Sequence, residues 1–216
     1  MKKLISKHTK NDCCKENIRK ILHIFGGMLI PIFILLLQNR ICIILNIVLL
    51  LPVLIIDYNN WFYFLNKIPK GNLIIQLLRE HEMIKGKLNG LSWLLLGTFA
   101  VICFCDKYLS ALSISIFIIG DAMAAIIGKN FGKIKLCCNK TLEGTLSFIL
   151  SSCIIAFGFV KYIVPETCIF NIYYITFAIF ISSIVELVSK NIGVDDNFTL
   201  PLSFCMVYKC LEVVFN

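Results

Sequence analysis

Charge is what this chain has least of. Only 16% of its 216 residues are Asp, Glu, Lys or Arg, whereas 58% are hydrophobic. Soluble domains carry about 25% charged residues. A soluble fold of this size could not cover so much apolar surface, which excludes a water-soluble globular class. Other absences narrow the field further. No Gly-x-Gly-x-x-Gly occurs, and no glycine-rich loop ends in Gly-Lys-Ser/Thr, so the dinucleotide-binding and P-loop signatures are missing. Eleven cysteines include no Cys-x-x-Cys pair and no Cys/His cluster. Their number is odd and many lie inside apolar runs. They read as small buried hydrophobes in a reducing setting, not as a disulfide framework or zinc site. No small-residue cleavage site follows the first apolar run, which argues against a signal peptide. Internal repeats, long linkers and low-complexity tracts are also lacking.

What is present is a series of apolar runs: 21–37, 41–56, 91–105, 109–127, 146–164, 169–188 and 198–215. They predict an all-α, polytopic membrane protein with about seven transmembrane helices. Residues 1–20 form a basic tail, and 21–216 read as a single integral membrane domain. The first two runs are short beside the ~20 residues that a ~30 Å hydrocarbon core asks for. The last run is interrupted by Lys209 and Glu212, which makes it the least regular span. Residues 72–83 read as a short amphipathic interfacial helix.

Lys and Arg count seven in the N-terminal tail, then one, five, one, four, one and one in the successive connections. High counts alternate, which is the positive-inside pattern with a cytoplasmic N-terminus. The tail, segment 57–89, the lysine loop between the runs 109–127 and 146–164, and segment 189–197 are thereby expected on the cytoplasmic side of the cell membrane. The net charge of +8 invites a nucleic-acid reading. The lysines, however, sit between apolar runs and not along one polar face. Topogenic charge and an anionic ligand account for them, and no nucleic-acid partner is expected.

The chain's chemistry is organised around 120–144, reading GDAMAAIIGKNFGKIKLCCNKTLEG. Asp121 places a carboxylate inside an apolar run, where an ionisable residue is costly and a functional-site candidate by default. At helical spacing Asp121, Ala125, Gly128 and Gly132 share a face. That face suits either close helix packing or a crevice in which Asp121 meets a magnesium ion and a phosphate chain. Lys129, Lys133, Lys135 and Lys140 beside flexible glycines suit a bound phosphate. Asn139 reads as the N-cap of the fifth helix, whose free N–H groups would add to an anion site with Lys140 and Thr141. In segment 57–89, Arg79 is a phosphate-ligand candidate and Glu82 a metal ligand or proton acceptor, against an ordinary solvated charged helix. Glu186 either pairs with Lys190 one turn on or joins Asp121 in an oxygen-rich magnesium site.

Together these segments resemble a family. Arg19-Lys20-x-x-His23, Leu78-Arg79-x-x-Glu82 with Asn89-Gly90, Gly120-Asp121-x-x-Ala124-Ala125-x-x-Gly128-x-x-x-Gly132-Lys133, Lys140-Thr141-x-Glu143-Gly144 and Asp196-Asn197-x-x-x-Pro201 look like the polyprenol kinases: dolichol kinase, phytol kinase and CTP-dependent diacylglycerol kinase. The resemblance implies a membrane enzyme that moves the γ-phosphate of CTP to a lipid alcohol. Carried onto this sequence, it implies Arg79, Gly128, Lys129, Gly132, Lys133, Lys140, Thr141, Glu143, Gly144 and Asn197 on the nucleotide. It also implies Mg²⁺ on Asp121 with Glu186 or Asp196, and Glu82 or Asp196 as the base. The central motifs are also similar to phosphatidate cytidylyltransferases, which make CDP-diacylglycerol. Their closing Ser-x-x-Lys-Arg and His-Gly-Gly signature is absent here. A small ion-coupled transporter using Asp121 and Glu186 is a third reading. It asks for broken helices in paired halves, and no repeat is visible.

Overall fold

The computed structural model describes residues 20, 21, 23–59, 88–136, 140–168, 170–192 and 194–215, with only the backbone at 190–192. Among these residues there is no strand, and one isolated antiparallel bridge joins Lys135 to Thr141. The helices are α1 His23–Leu36, then α2 Asn39–Tyr58, α3 Gly90–Phe104, α4 Lys107–Phe131, α5 Leu142–Tyr162, α6 Ile172–Ile192 and α7 Asp196–Phe215. Five of them (α2, α4, α5, α6 and α7) are long and apolar enough to cross a membrane, while α1 and α3 are shorter. The all-helical polytopic architecture matches the seven apolar runs. The expected interfacial helix at 72–83 lies outside the described residues.

The helix ends follow from local chemistry. Asp106 caps α4, accepting the Leu109 N–H at 2.9 Å, which makes the α3–α4 connection a tight turn. The α5 helix stops at Tyr162, ahead of Pro165. The α7 helix runs unbroken through Lys209 and Glu212. Their side chains pair at 2.7 Å, and Lys209 also reaches Asp106 at 3.5 Å, so the charges meet at one end of the bundle.

The α4 helix is the axis of the bundle. Leu109, Ala111, Leu112, Ile114, Ile116, Phe117 and Ile118 are all fully buried, as expected for a helix that is apolar all round. It touches α1, α3, α5 and α7. Gly120, Ala124 and Gly128 make a stripe of small residues against α5. A Cβ at Gly120 would lie 2.7 Å from the Ser152 hydroxyl and 2.8 Å from the Phe148 ring, and one at Gly144 would lie 2.9 Å from the Ala124 carbonyl. Lipid is as apolar as leucine, so helices in a bilayer associate through such close backbone packing. Leu36, Ile44, Leu150, Ile154 and Phe157 are exposed on the outside, where hydrocarbon would cover them.

Candidate active site

The sequence places the lysine loop directly after Ile127, but α4 continues to Phe131. Gly128 and Lys129 therefore stand on its last turn. Residues 132–136 and 140–142 then pair antiparallel as the two arms of a hairpin, with Leu136 N–H donating to the Lys140 carbonyl at 2.8 Å and Leu142 N–H to the Ile134 carbonyl at 2.9 Å. The cap of α5 is Thr141, not Asn139, which lies outside the described residues. Thr141 has extended backbone angles (φ −125°, ψ 151°), and its hydroxyl accepts the Gly144 N–H at 3.3 Å. The same hydroxyl is 2.9 Å from where a Cβ of Gly128 would sit and 2.6 Å from that of Gly132. The glycines at 128, 132 and 144 thus make room for Thr141 and for the α4–α5 crossing. Glu143 accepts the Ile134 N–H at 3.2 and 3.3 Å, pinning the hairpin to α5. Lys129, Lys133 and Lys135 are exposed around this hairpin.

Beneath the hairpin lie buried charges. Asp121 is 2% exposed and forms an ion pair with Lys20, itself 5% exposed. Glu186, 1% exposed, pairs with Lys140 from the hairpin, and the Lys190 side chain lies outside the described residues. Burial pulls the Lys140 ammonium downward, but the charges of Glu186, Asp121 and Asp196 outweigh it and hold its pKa above the ordinary lysine value. Lys140 therefore stays cationic throughout the physiological range. His23 lies edge-on to Phe117 at 5.7 Å.

The remaining predicted residues fall at the same end of the bundle. Asp196 opens α7 and is buried. Asp195 shapes the turn before it, accepting the Asn197 N–H at 3.0 Å. The Asn197 amide donates to the Gly90 carbonyl at 2.8 Å and so ties α7 to α3. Arg79 and Glu82 lie outside the described residues. The described residues on either side of their segment meet: Asp57 at the end of α2 accepts the Asn89 N–H at 2.9 Å, the Asn89 side-chain amide at 2.8 Å and the Ser92 hydroxyl at 2.6 Å. The sequence reading assigned no role to Lys20 or Asp57. The signals are in the sequence: a lysine directly before one apolar run, and a carboxylate directly after another.

Among the described residues no group of three or more His, Cys, Asp or Glu side chains stands at metal-ligating spacing. An all-protein cage is therefore not what this donor set suits. Magnesium usually takes only one or two carboxylates together with substrate phosphates. Asp121 and Glu186, hard oxygen donors that feel each other's charge, fit that kind of site. Each is neutralised by one lysine, and a metal–phosphate group could take over that charge balance.

Comparison with known proteins places the chain among relatives of similar length. An uncharacterized protein of Methanocaldococcus jannaschii is 29% identical over 192 residues, covering 87% of this chain and 89% of the relative. An uncharacterized protein of Rickettsia prowazekii is 30% identical over 201 residues, covering 88% and 92%. The chain belongs to the same family as that rickettsial protein. Two partial relatives of this family member carry names with a chemistry. A dolichol kinase of Saccharomyces cerevisiae is 33% identical over 90 residues, 41% of this chain and 17% of the kinase. A probable chloroplastic phytol kinase of Glycine max is 26% identical over 129 residues, 56% of this chain and 42% of the relative. This partial similarity supports a polyprenol kinase-like family. No family model matches, and no solved structure matches.

Proposed function

We propose that the protein is a CTP-dependent lipid kinase that transfers the γ-phosphate of CTP to a membrane lipid alcohol on the cytoplasmic face of the membrane. The observation that carries the proposal is the partial likeness to a dolichol kinase and a phytol kinase in a chain whose buried acids, Asp121 and Glu186, each face a lysine. Phosphoryl transfer leaves little covalent work to the protein and depends on positioning and charge neutralisation. Lys140 and the exposed Lys129 and Lys133 offer cationic groups to the triphosphate. Asp121 and Glu186, with Asp196 near Lys140, are the residues that would hold Mg²⁺, which when bound supplies charge neutralisation across the phosphates. Glu82 or Asp196 would take the proton of the lipid hydroxyl.

The test is transfer from CTP labelled at the γ-phosphate, using the protein in membranes and a panel of prenols, phytol and diacylglycerol. The kinase reading expects label in the lipid and release of CDP. Cytidine label entering the lipid, with pyrophosphate released, would instead show a cytidylyltransferase. Ion flux with no transfer would show a transporter.

A further inference from the structure

The Asp57 carboxylate is 5% exposed, yet the proposed chemistry gives it no part. It closes α2 and meets the start of α3 through the two Asn89 donors and the Ser92 hydroxyl. A carboxylate is an acceptor only. It therefore turns the NH₂ of Asn89 toward itself and leaves the Asn89 Oδ1 to accept the Ser92 N–H at 2.8 Å, which caps α3. The positive end of the α3 dipole helps to offset the buried charge.

The chain of contacts continues to α7. Gly90 follows Asn89, and its carbonyl accepts the Asn197 side-chain amide at 2.8 Å. Gly97, about two turns further along α3, leaves room for the Asn197 backbone. A Cβ there would stand 2.8 Å from the Asn197 carbonyl oxygen and 3.1 Å from the Phe198 Cα. Between these two points Trp93 packs edge-on to the Phe198 ring at 6.0 Å. The first turn of α7 thus rests on α3, and Asp57 seats the start of α3. Asp196, the residue before Asn197, is buried at the head of α7. It lies close enough to Lys140 for its charge to act there.

We propose that Asp57 is a positioning residue: through Asn89, Gly90 and Asn197 it sets the Asp196 carboxylate toward the group that would hold Mg²⁺ with Asp121 and Glu186. The proposal rests on the kinase reading for what Asp196 does, and it adds the residue that holds Asp196 in place. Partners that orient a metal ligand typically matter by about 10- to 100-fold in metal affinity or activity.

Asp57→Asn is the test variant, because it keeps the shape and turns an NH₂ against one of the three donors. The experiment has two arms, both on full-length protein in phosphatidylcholine vesicles. The first is hydrogen exchange without CTP or Mg²⁺. Asp57→Asn should exchange faster at 194–200 as well as at 88–95, with 142–150 as protected as in the wild type. Faster exchange confined to 88–95, or spread over all three segments, would overturn the proposal. The second arm is CTP turnover against Mg²⁺ concentration. The half-saturating Mg²⁺ should rise about tenfold in Asp57→Asn, with the KM for CTP at saturating Mg²⁺ little changed. A smaller folded fraction would lower the rate without moving the Mg²⁺ midpoint, so an unmoved midpoint would overturn the proposal. Ser92→Ala withdraws one donor and is the milder companion, for use where Asp57→Asn does not accumulate. It should show both shifts at smaller amplitude, and wild-type behaviour in both arms would count against the proposal equally. Hydrogen exchange needs no turnover. Exchange at 194–200 that answers to Asp57 in a protein without phosphoryl transfer would sink the kinase reading alone. Transfer with an unmoved Mg²⁺ midpoint would sink only the role of Asp57.

Discussion

An ammonium and a carboxylate removed from water together each lose several kcal/mol of hydration, and their attraction repays it only if both are present. Lys20 and Asp121 are such a pair, as are Lys140 and Glu186. Lys20→Met should therefore destabilise the fold by about 3 kcal/mol, while Lys20→Met with Asp121→Leu should recover most of that loss. Thermal unfolding in detergent reads both, and additive losses would show that the pair is not coupled. Activity separates structure from chemistry. Asp121→Asn leaves the Lys20 ammonium unneutralised and should lose part of the same stability, but its amide oxygen can still accept from Lys20; in membranes with matched protein levels it should lose several orders of magnitude in CTP turnover at saturating Mg²⁺, as expected when a metal's charge stabilisation goes. Near-wild-type turnover would reduce Asp121 to helix-packing glue and move the metal assignment to Glu186 and Asp196. Glu143→Gln should cost much less, because the amide oxygen can still accept the Ile134 N–H that the carboxylate now holds.

At the scale of helices, the α4–α5 crossing depends on the absence of side chains. Gly120 faces Ser152 and Phe148 with no room for a Cβ. Gly120→Val should cost roughly 1–3 kcal/mol through overpacking. Gly26→Ala is the contrast, since a Cβ there meets nothing within 4 Å. Inside α1 it should stabilise slightly, by up to about 1 kcal/mol. Melting curves of the two variants check this, and equal effects would mean that the crossing is not tightly packed. The same crossing carries Thr141 under Gly128, so helix packing and the placement of Lys140, the preceding residue, are one construction.

For the whole molecule, the polar groups at the ends of α2, α4 and α6 and at the starts of α3, α5 and α7 fall at one end of the bundle. Asp57–Asn89, Asn197–Gly90 and Lys140–Glu186 are the contacts that join them. Reporter fusions or accessibility mapping at 129–136 and 194–197 should report one side, the cytoplasm. Labelling of these two segments from opposite sides would contradict the bundle, and both lying outside would remove access to CTP.

Apolar runs of span length were enough to determine the all-helical membrane class and the order of the helices, because a bilayer leaves a single chain few ways to satisfy its backbone. The Lys and Arg alternation grouped the polar segments at one end before any contact was visible. Other features depend on contacts between residues far apart in the chain. Lys20 meets Asp121 across 101 positions and Lys140 meets Glu186 across 46, and no local pattern encodes either pair. The glycines after Asp121 looked suited to a phosphate, and only the α4–α5 crossing showed that Thr141 fills the space beside them. Asn139 and Thr141 both carry capping side chains. The hairpin's register made Thr141 the cap, because the bridge to Lys135 holds its backbone extended where α5 begins.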